Sequence, residues 1–316
     1  MATITSYVAA WVLLTVLAPI WLLLGIVIGT VRRRSFVGLR LLAFAWFYFG
    51  TAIVALVRLA VAFALLRTKH DELQAHLFRL QQWWAAAVLR RASNLLSLDI
   101  QMEGAESALP GPTILLMRHA SILDTLLPSV FIQAPAQWRV RYVLKQELLV
   151  DPCLDIVGNA LPNYFVDRTG DRQNELDAIR ALAQGLGDEG VLIYPEGTRF
   201  SQEKLLRARK RVEELCPELI GVAEELTDVL PPRPAGVLTL LDALPEVDCA
   251  IIAHHGLESF EKVKDVLSGS VVGAVVRCKV WRVRRSEIPM SDEARTRWLY
   301  EQWALVNAFV KDRKAR

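Results

Sequence analysis

Residues Pro112 to Thr125 read PTILLMRHASILDT, and the reading of this stretch decides the fold. Its first half is a short apolar run; its second half turns polar at Arg118-His119 and then opens toward a helix. A strand that ends in polar residues ahead of a helix is the unit of an open α/β sheet, where ligands bind beyond the carboxyl ends of the strands. The same kind of run recurs along the chain as SLDIQME, VRYVL, NYFV, GVLIY, CAIIA and VVGAVVRCKVWRV. Helical patterns fall between them at Leu123 to Ile132, Asp171 to Leu186 and Gln202 to Glu225. A last helix opens at Ser291, a good N-cap, with Asp292 and Glu293 in its first turn. The expected fold class is therefore α/β, a mostly parallel sheet flanked by helices.

The polar end of the opening stretch holds His119 and Asp124 five residues apart. If a helix starts near Ser121, the carboxylate can accept from one imidazole nitrogen, fix the tautomer and leave the other nitrogen as a general base. Alone the pair is weak. Five histidines and fifteen aspartates in 316 residues give such a spacing by chance about once in four sequences. A second stretch, YPEGTRF from Tyr194 to Phe200, also follows an apolar run directly. Pro195 and Gly197 break the strand into a tight turn that lets main chain approach a ligand. Arg199 on that turn suits a phosphate, gripped by two parallel hydrogen bonds. The plainer alternative is a strand-to-helix turn with an internal Glu196–Arg199 pair.

Upstream of the sheet the chain is far more apolar. Overall, 53% of residues are hydrophobic and 22% charged, with a mean hydropathy of +0.28, too apolar for an ordinary soluble protein of this size. No side chain before Arg32 is charged, and Tyr7 to Thr30 would reach about 36 Å as a helix, enough to cross a bilayer core. With no basic leader region and no small-residue cleavage site, it reads as a retained anchor. Leu41 to Leu66 is also apolar but carries Arg58, whose burial in lipid is costly, so this second segment reads as re-entrant or interfacial. Arg32, Arg33, Arg34 and Arg40 put the loop after Thr30 in the cytoplasm, together with the remaining chain if the second segment returns. From Asp71 to Asn94, Leu73, Leu77, Leu80, Trp84 and Val88 share a helix face. That face fits either the domain core or an in-plane membrane helix flanked by arginines. Residues 1–70 are thus expected as membrane anchor, 71–96 as an amphipathic interfacial helix and 97–316 as one domain.

The net charge of +3 is modest, and no block of Lys or Arg points to nucleic acid. Cys153, Cys216, Cys249 and Cys278 lack metal-ligand spacing and read as free thiols in a reducing compartment. His254 and His255 follow CAIIA; adjacent histidines on a strand point to opposite faces, which suits structural or pocket-lining roles rather than one metal.

His119-Ala120-Ser121-Ile122-Leu123-Asp124 and Pro195-Glu196-Gly197-Thr198-Arg199 resemble the first and third signature blocks of the glycerolipid acyltransferases, the 1-acyl-sn-glycerol-3-phosphate acyltransferase family. Tyr164 to Arg168, YFVDR, is similar to the second block, and Lys145 in VLKQELL matches a basic residue near the acceptor phosphate. Leu230 to Gly236, LPPRPAG, looks like a proline–arginine–glycine segment of longer members. The resemblance spans roughly Leu98 to Ala253. It implies a glycerolipid acyltransferase-like domain behind membrane-associated helices, with His119 as base and Asp124 orienting it. Lys145, Arg168, Glu196, Gly197, Thr198, Arg199 and Arg233 would then bind substrate. It implies acyl-CoA as co-substrate, lysophosphatidate as acceptor, membrane lipids as partners, and neither metal nor bound cofactor. The membrane would be the bacterial inner membrane or the endoplasmic reticulum. Another lysophospholipid acceptor, or a non-catalytic lipid binder on the same fold, are the alternatives. The sequence departs from the family at Arg118, where asparagine is usual. That cation would either attract phosphate or CoA, or lower the imidazole pKa by like charge.

Overall fold

The computed structural model describes residues 2–31, 36–167, 171–260 and 263–314. Seven strands form one sheet: β1 (Asp99–Glu103), β2 (Thr113–Met117), β3 (Val140–Lys145), β4 (Tyr164–Val166), β5 (Gly190–Ile193), β6 (Asp248–His255) and β7 (Val275–Val283). Their spatial order is β1-β7-β6-β2-β5-β3-β4. Every neighbouring pair is parallel except β6 and β7. The sheet is mixed but mostly parallel, as the run of apolar segments predicts. Every residue of β2 and of β5 is buried, because helices cover both faces of the sheet's centre.

One covering layer is built from α4 (His70–Leu96), together with residues of the segment that follows β2. The other uses the helices Arg172–Ala183, Pro234–Ala243 and Asp292–Lys314. Trp298, Trp303 and Val306 of the last helix are buried in this second layer, so it packs on the sheet and not on lipid. The helix expected over Gln202 to Glu225 stops at Leu215 and resumes at Ile220, because Pro217 cannot continue it. The one expected over Leu123 to Ile132 is a 3₁₀ turn, Leu123–Leu126, followed by a π-helical turn, Ser129–Gln133.

Two expectations upstream are corrected. Leu73, Leu77, Leu80, Trp84 and Val88 are all buried in the main core, so α4 is a structural layer of the domain and not a separate interfacial helix. The two apolar segments also differ in shape from the expectation. The first is two helices, α1 (Ala2–Val16) and α2 (Ala18–Val31), bent by 63° at the break. Pro19 sits in the first turn of the second of them, where the amide it lacks has no helical partner to lose. The second segment is one unbroken 30-residue helix, α3 (Val37–Leu66), long and apolar enough to cross a membrane. Arg58 does not interrupt it, because its guanidinium lies 4.5 Å from the ring centre of Trp83 on α4. Along α1 and α2, Leu13, Val16, Leu23 and Ile28 remain exposed, an apolar surface suited to lipid.

The helices are tied to the domain as well as to each other. Trp11 stacks on Trp46 at 6.1 Å between α1 and α3. Tyr7 of α1 donates to Asp151 Oδ2 at 3.1 Å, and Tyr48 of α3 donates to the same oxygen. Asp151 also caps the helix Pro152–Ala160, accepting from the Cys153 amide at 2.8 Å.

Candidate active site

The site is built where β2 stops. The Arg118 N–H still bonds to the Ile252 carbonyl of β6, at 3.1 Å, and after it the chain leaves the sheet. The next five residues wrap around one carboxylate. Asp124 is fully buried, and its Oδ2 accepts the amides of Ala120 at 2.7 Å and Ser121 at 2.8 Å. Ser121 Oγ accepts the Leu123 amide at 3.0 Å and caps the turn. This wrap turns a spacing of five residues into a contact: His119 Nδ1 lies 3.1 and 3.2 Å from the two oxygens of Asp124. A carboxylate only accepts, so Nδ1 carries the proton and Nε2 is left with its lone pair.

His119 is only 6% exposed, and burial lowers its pKa below the ordinary 6.5. Asp124 opposes that shift, while Lys145 and His254 add to it. Burial by itself would raise the pKa of Asp124, but His119 and His254 hold it well below the usual carboxylate range. The pair is thus a neutral imidazole beside an ionised carboxylate, the state a general base needs.

The YPEGTRF turn lies against this histidine. The rings of Tyr194 and His119 are 4.8 Å apart, and the Phe200 amide donates to the His119 carbonyl at 3.2 Å. Gly197 has φ +65° and closes the turn with an amide bond to Tyr194 O at 2.9 Å, a conformation that favours glycine. Arg233 joins the same corner: its amide donates to Pro195 O at 2.8 Å, and its side chain passes over Gly197. Thr198 and Arg199 are half-buried, and among the described residues Arg199 forms no ion pair with Glu196. Lys145 ends β3, in register with Val166 of β4, close enough to His119 to act on its charge. Arg168, two residues beyond β4, lies outside the described residues.

Two expectations change here, and one neighbour is added. Glu196 does not project toward a substrate. It is buried, with Oε1 accepting the His119 amide at 3.1 Å and Oε2 the Leu230 amide at 3.0 Å, and burial pushes its pKa up to about 7. It is a main-chain anchor that ties the turn to the histidine. Arg118 is fully buried and cannot meet phosphate or CoA. Its guanidinium donates to His254 O at 2.8 Å, Glu258 Oε1 at 2.8 Å and Asp228 O at 3.0 Å. Nor is its charge among the leading causes of the His119 shift. Finally, His254 stands 3.5 Å from Asp124 Oδ2, a neighbour that the local sequence marks only by strand alternation with His255.

Beside the site is a mostly apolar cavity of about 520 Å³. Ile122, Leu123 and Leu126, from the wrap around Asp124, form one wall; Phe44 and Tyr48 of α3 and Trp84 of α4 form another. Its size is that of a small-ligand site, and its apolar lining suits a hydrocarbon chain.

Residues 99–219, which carry His119, Asp124, Lys145 and the Tyr194–Phe200 turn, match the family model described as Acyltransferase. This segment is similar to that family. The chain is 23% identical over 256 residues to lysophosphatidylinositol acyltransferase 10 of Caenorhabditis elegans, covering 77% of this chain and 63% of that relative's length. In fold it is similar to the 1-acyl-sn-glycerophosphate (LPA) acyltransferase PlsC of Thermotoga maritima. The TM-score is 0.55 at 17% identity, over 88% of this chain and 98% of the other.

Proposed function

We propose that this protein is a membrane-associated O-acyltransferase that moves a fatty acyl chain from acyl-CoA to the free hydroxyl of lysophosphatidate, giving phosphatidate. The observation that carries this reading is the neutral His119, held through Nδ1 by Asp124 beside an apolar cavity. The acceptor hydroxyl is a poor nucleophile at neutral pH, so Nε2 takes its proton as the oxygen attacks the thioester carbonyl. The tetrahedral adduct collapses to the new ester with loss of the CoA thiolate, which recovers that proton from the imidazolium. Asp124 stabilises the imidazolium in between. Ser121 takes no part as a nucleophile, since its hydroxyl caps the turn.

Arg199, with Lys145, Arg168 and Arg233, supplies the cations for the acceptor phosphate, and the cavity houses an acyl chain. The chemistry calls for acyl-CoA as co-substrate and for no metal. The helices α1 to α3 hold the domain at a membrane, bacterial inner membrane or endoplasmic reticulum, with the site on the cytoplasmic face. The relative from Caenorhabditis elegans bears a name with an inositol headgroup, which supports a larger lysophospholipid as the second reading of the acceptor.

The test is release of free CoA thiol on mixing purified protein with acyl-CoA and a panel of lysophospholipids. Turnover with lysophosphatidate is expected to exceed that with lysophosphatidylinositol. The reverse order replaces the acceptor, and no CoA release with any acceptor sinks the enzymatic reading in favour of a lipid binder. Arg199→Ala should raise the acceptor KM by about 10- to 100-fold and leave that for acyl-CoA within about twofold. Equal effects on both would make Arg199 a part of the turn only.

A further inference from the structure

His254 is the feature the acyl-transfer mechanism leaves unused. It is fully buried near the end of β6, and its Nε2 lies 2.9 Å from the Arg118 carbonyl and 3.5 Å from Asp124 Oδ2. Both neighbours are acceptors, so Nε2 must carry the hydrogen, with the short contact to the carbonyl the stronger bond. Its Nδ1 is then a buried nitrogen without a hydrogen-bond partner among the described residues, a cost that calls for an explanation. The clasp is reciprocal. His254 donates from its ring to Arg118 O, and Arg118 donates from its guanidinium to His254 O at 2.8 Å. Glu258 completes it, pairing with Arg118 at 2.8 Å and His255 at 3.1 Å and accepting the Gly256 amide at 2.8 Å. Arg118, where a neutral asparagine is usual, thus belongs to a lock between the ends of β2 and β6.

We propose that His254, clasped to Arg118, is a positioning residue: it pins the main chain ahead of His119 and Oδ2 of Asp124 together, and so fixes the tautomer and aim of the base. This role rests on the acyl-transfer reading. The lock reaches the same oxygen, Oδ2, that Ala120 and Ser121 already bind from the loop of Asp124 itself, and ties it to β6. The ionisable groups that face His254 are Asp124 and His119 from the loop after β2, Glu196 from the turn after β5, Arg118, and Cys278 across the pair on β7. Within that set Asp124 is the anion in reach of its N–H.

His254→Leu removes the donor and is expected to lower kcat about 10- to 100-fold, the size of a misaligned base, with both KM values within about twofold. His254→Gln restores an N–H at the place of Nε2 and should recover most of the loss. If the leucine variant does not fold, His254→Asn, whose amide stops short of Arg118 O, should show the same loss. Equal losses in the leucine and glutamine variants, or no loss in either, would overturn the proposal. A second measurement needs no turnover: imidazole ¹⁵N spectra of the detergent-solubilised full chain, with His119 assigned through His119→Gln. His119 should appear as the Nδ1–H tautomer in wild type and His254→Gln and as a mixture in His254→Leu; an unchanged tautomer in His254→Leu overturns the proposal. Spectra that behave as expected in a protein that releases no CoA would retire the acyl-transfer reading and leave the positioning role standing.

Discussion

Asp124 and Glu196 are two buried carboxylates beside one histidine, and their pKa values are shifted in opposite directions. Each accepts two main-chain amides: Asp124 from Ala120 and Ser121, Glu196 from His119 and Leu230. Burial pushes both pKa values up. Asp124 nevertheless ends well below the carboxylate range, while Glu196 is pushed up to about 7. The amides therefore do not decide the outcome. What differs is contact with an imidazole: Asp124 touches His119 and lies 3.5 Å from His254, whereas Arg118 acts on Glu196 with no hydrogen bond between them. A carboxylate in contact with a proton carrier stays ionised and can orient a base; one that meets only amides becomes an anchor close to neutrality.

The largest effect tests the charged side. His119→Ala should remove about 10²- to 10⁴-fold of kcat while the protein keeps its circular dichroism and its membrane fraction. Substantial residual turnover would leave Asp124 orienting nothing. Asp124→Asn should cost about 10²-fold, because an amide that still serves Ala120 and Ser121 turns its NH₂ toward Nδ1 and moves the imidazole proton to Nε2. The sign in pH follows from the shifts. Burial lowers the His119 pKa below 6.5, so the acid limb of kcat/KM should lie under pH 6.5 in wild type. Asp124 raises that pKa, so its loss should move the limb to lower pH still, and a limb that moves upward breaks the assignment.

Arg118→Asn tests the connection between the two carboxylates. It leaves Glu258 with only His255 and the Gly256 amide and should cost about 3 kcal/mol of stability by urea unfolding, since one member of a largely buried ion pair is removed. The KM for acyl-CoA should stay unchanged. A marked rise would restore the phosphate-attracting role that the sequence suggests and the burial of Arg118 denies.

The sheet was legible because each strand is a short apolar run with a polar end, and the runs after β2 and β5 mark the site directly. Which way a polar side chain turns was not. Glu196 stands in a turn full of surface-type residues, and nothing local shows that two amides from distant segments draw it inward. Arg118 and His254 become neighbours only through β2–β6 pairing across 136 residues. The N-terminal helices misled for a related reason. An arginine within an apolar run looks like a stronger interruption than a proline within another, but Pro19 stands where a new helix starts while Arg58 rests on Trp83 of the next one.

The smallest effect tests the neutral side. Glu196→Gln keeps shape and one acceptor oxygen, but its NH₂ must face the amide of either His119 or Leu230, so one buried bond is lost, at about 1–3 kcal/mol. Wild-type Glu196 has a folded pKa of about 7 against an ordinary 4.5. A folded value above the unfolded one gives stability that is complete below pH 4.5 and gone once pH passes about 7. Glutamine carries no such slope. In urea unfolding the variant should therefore be clearly weaker than wild type at pH 5, and the gap should narrow by pH 8. A gap that widens toward pH 8 would mean that Glu196 is an ionised carboxylate like Asp124, and the contrast between the two would be lost.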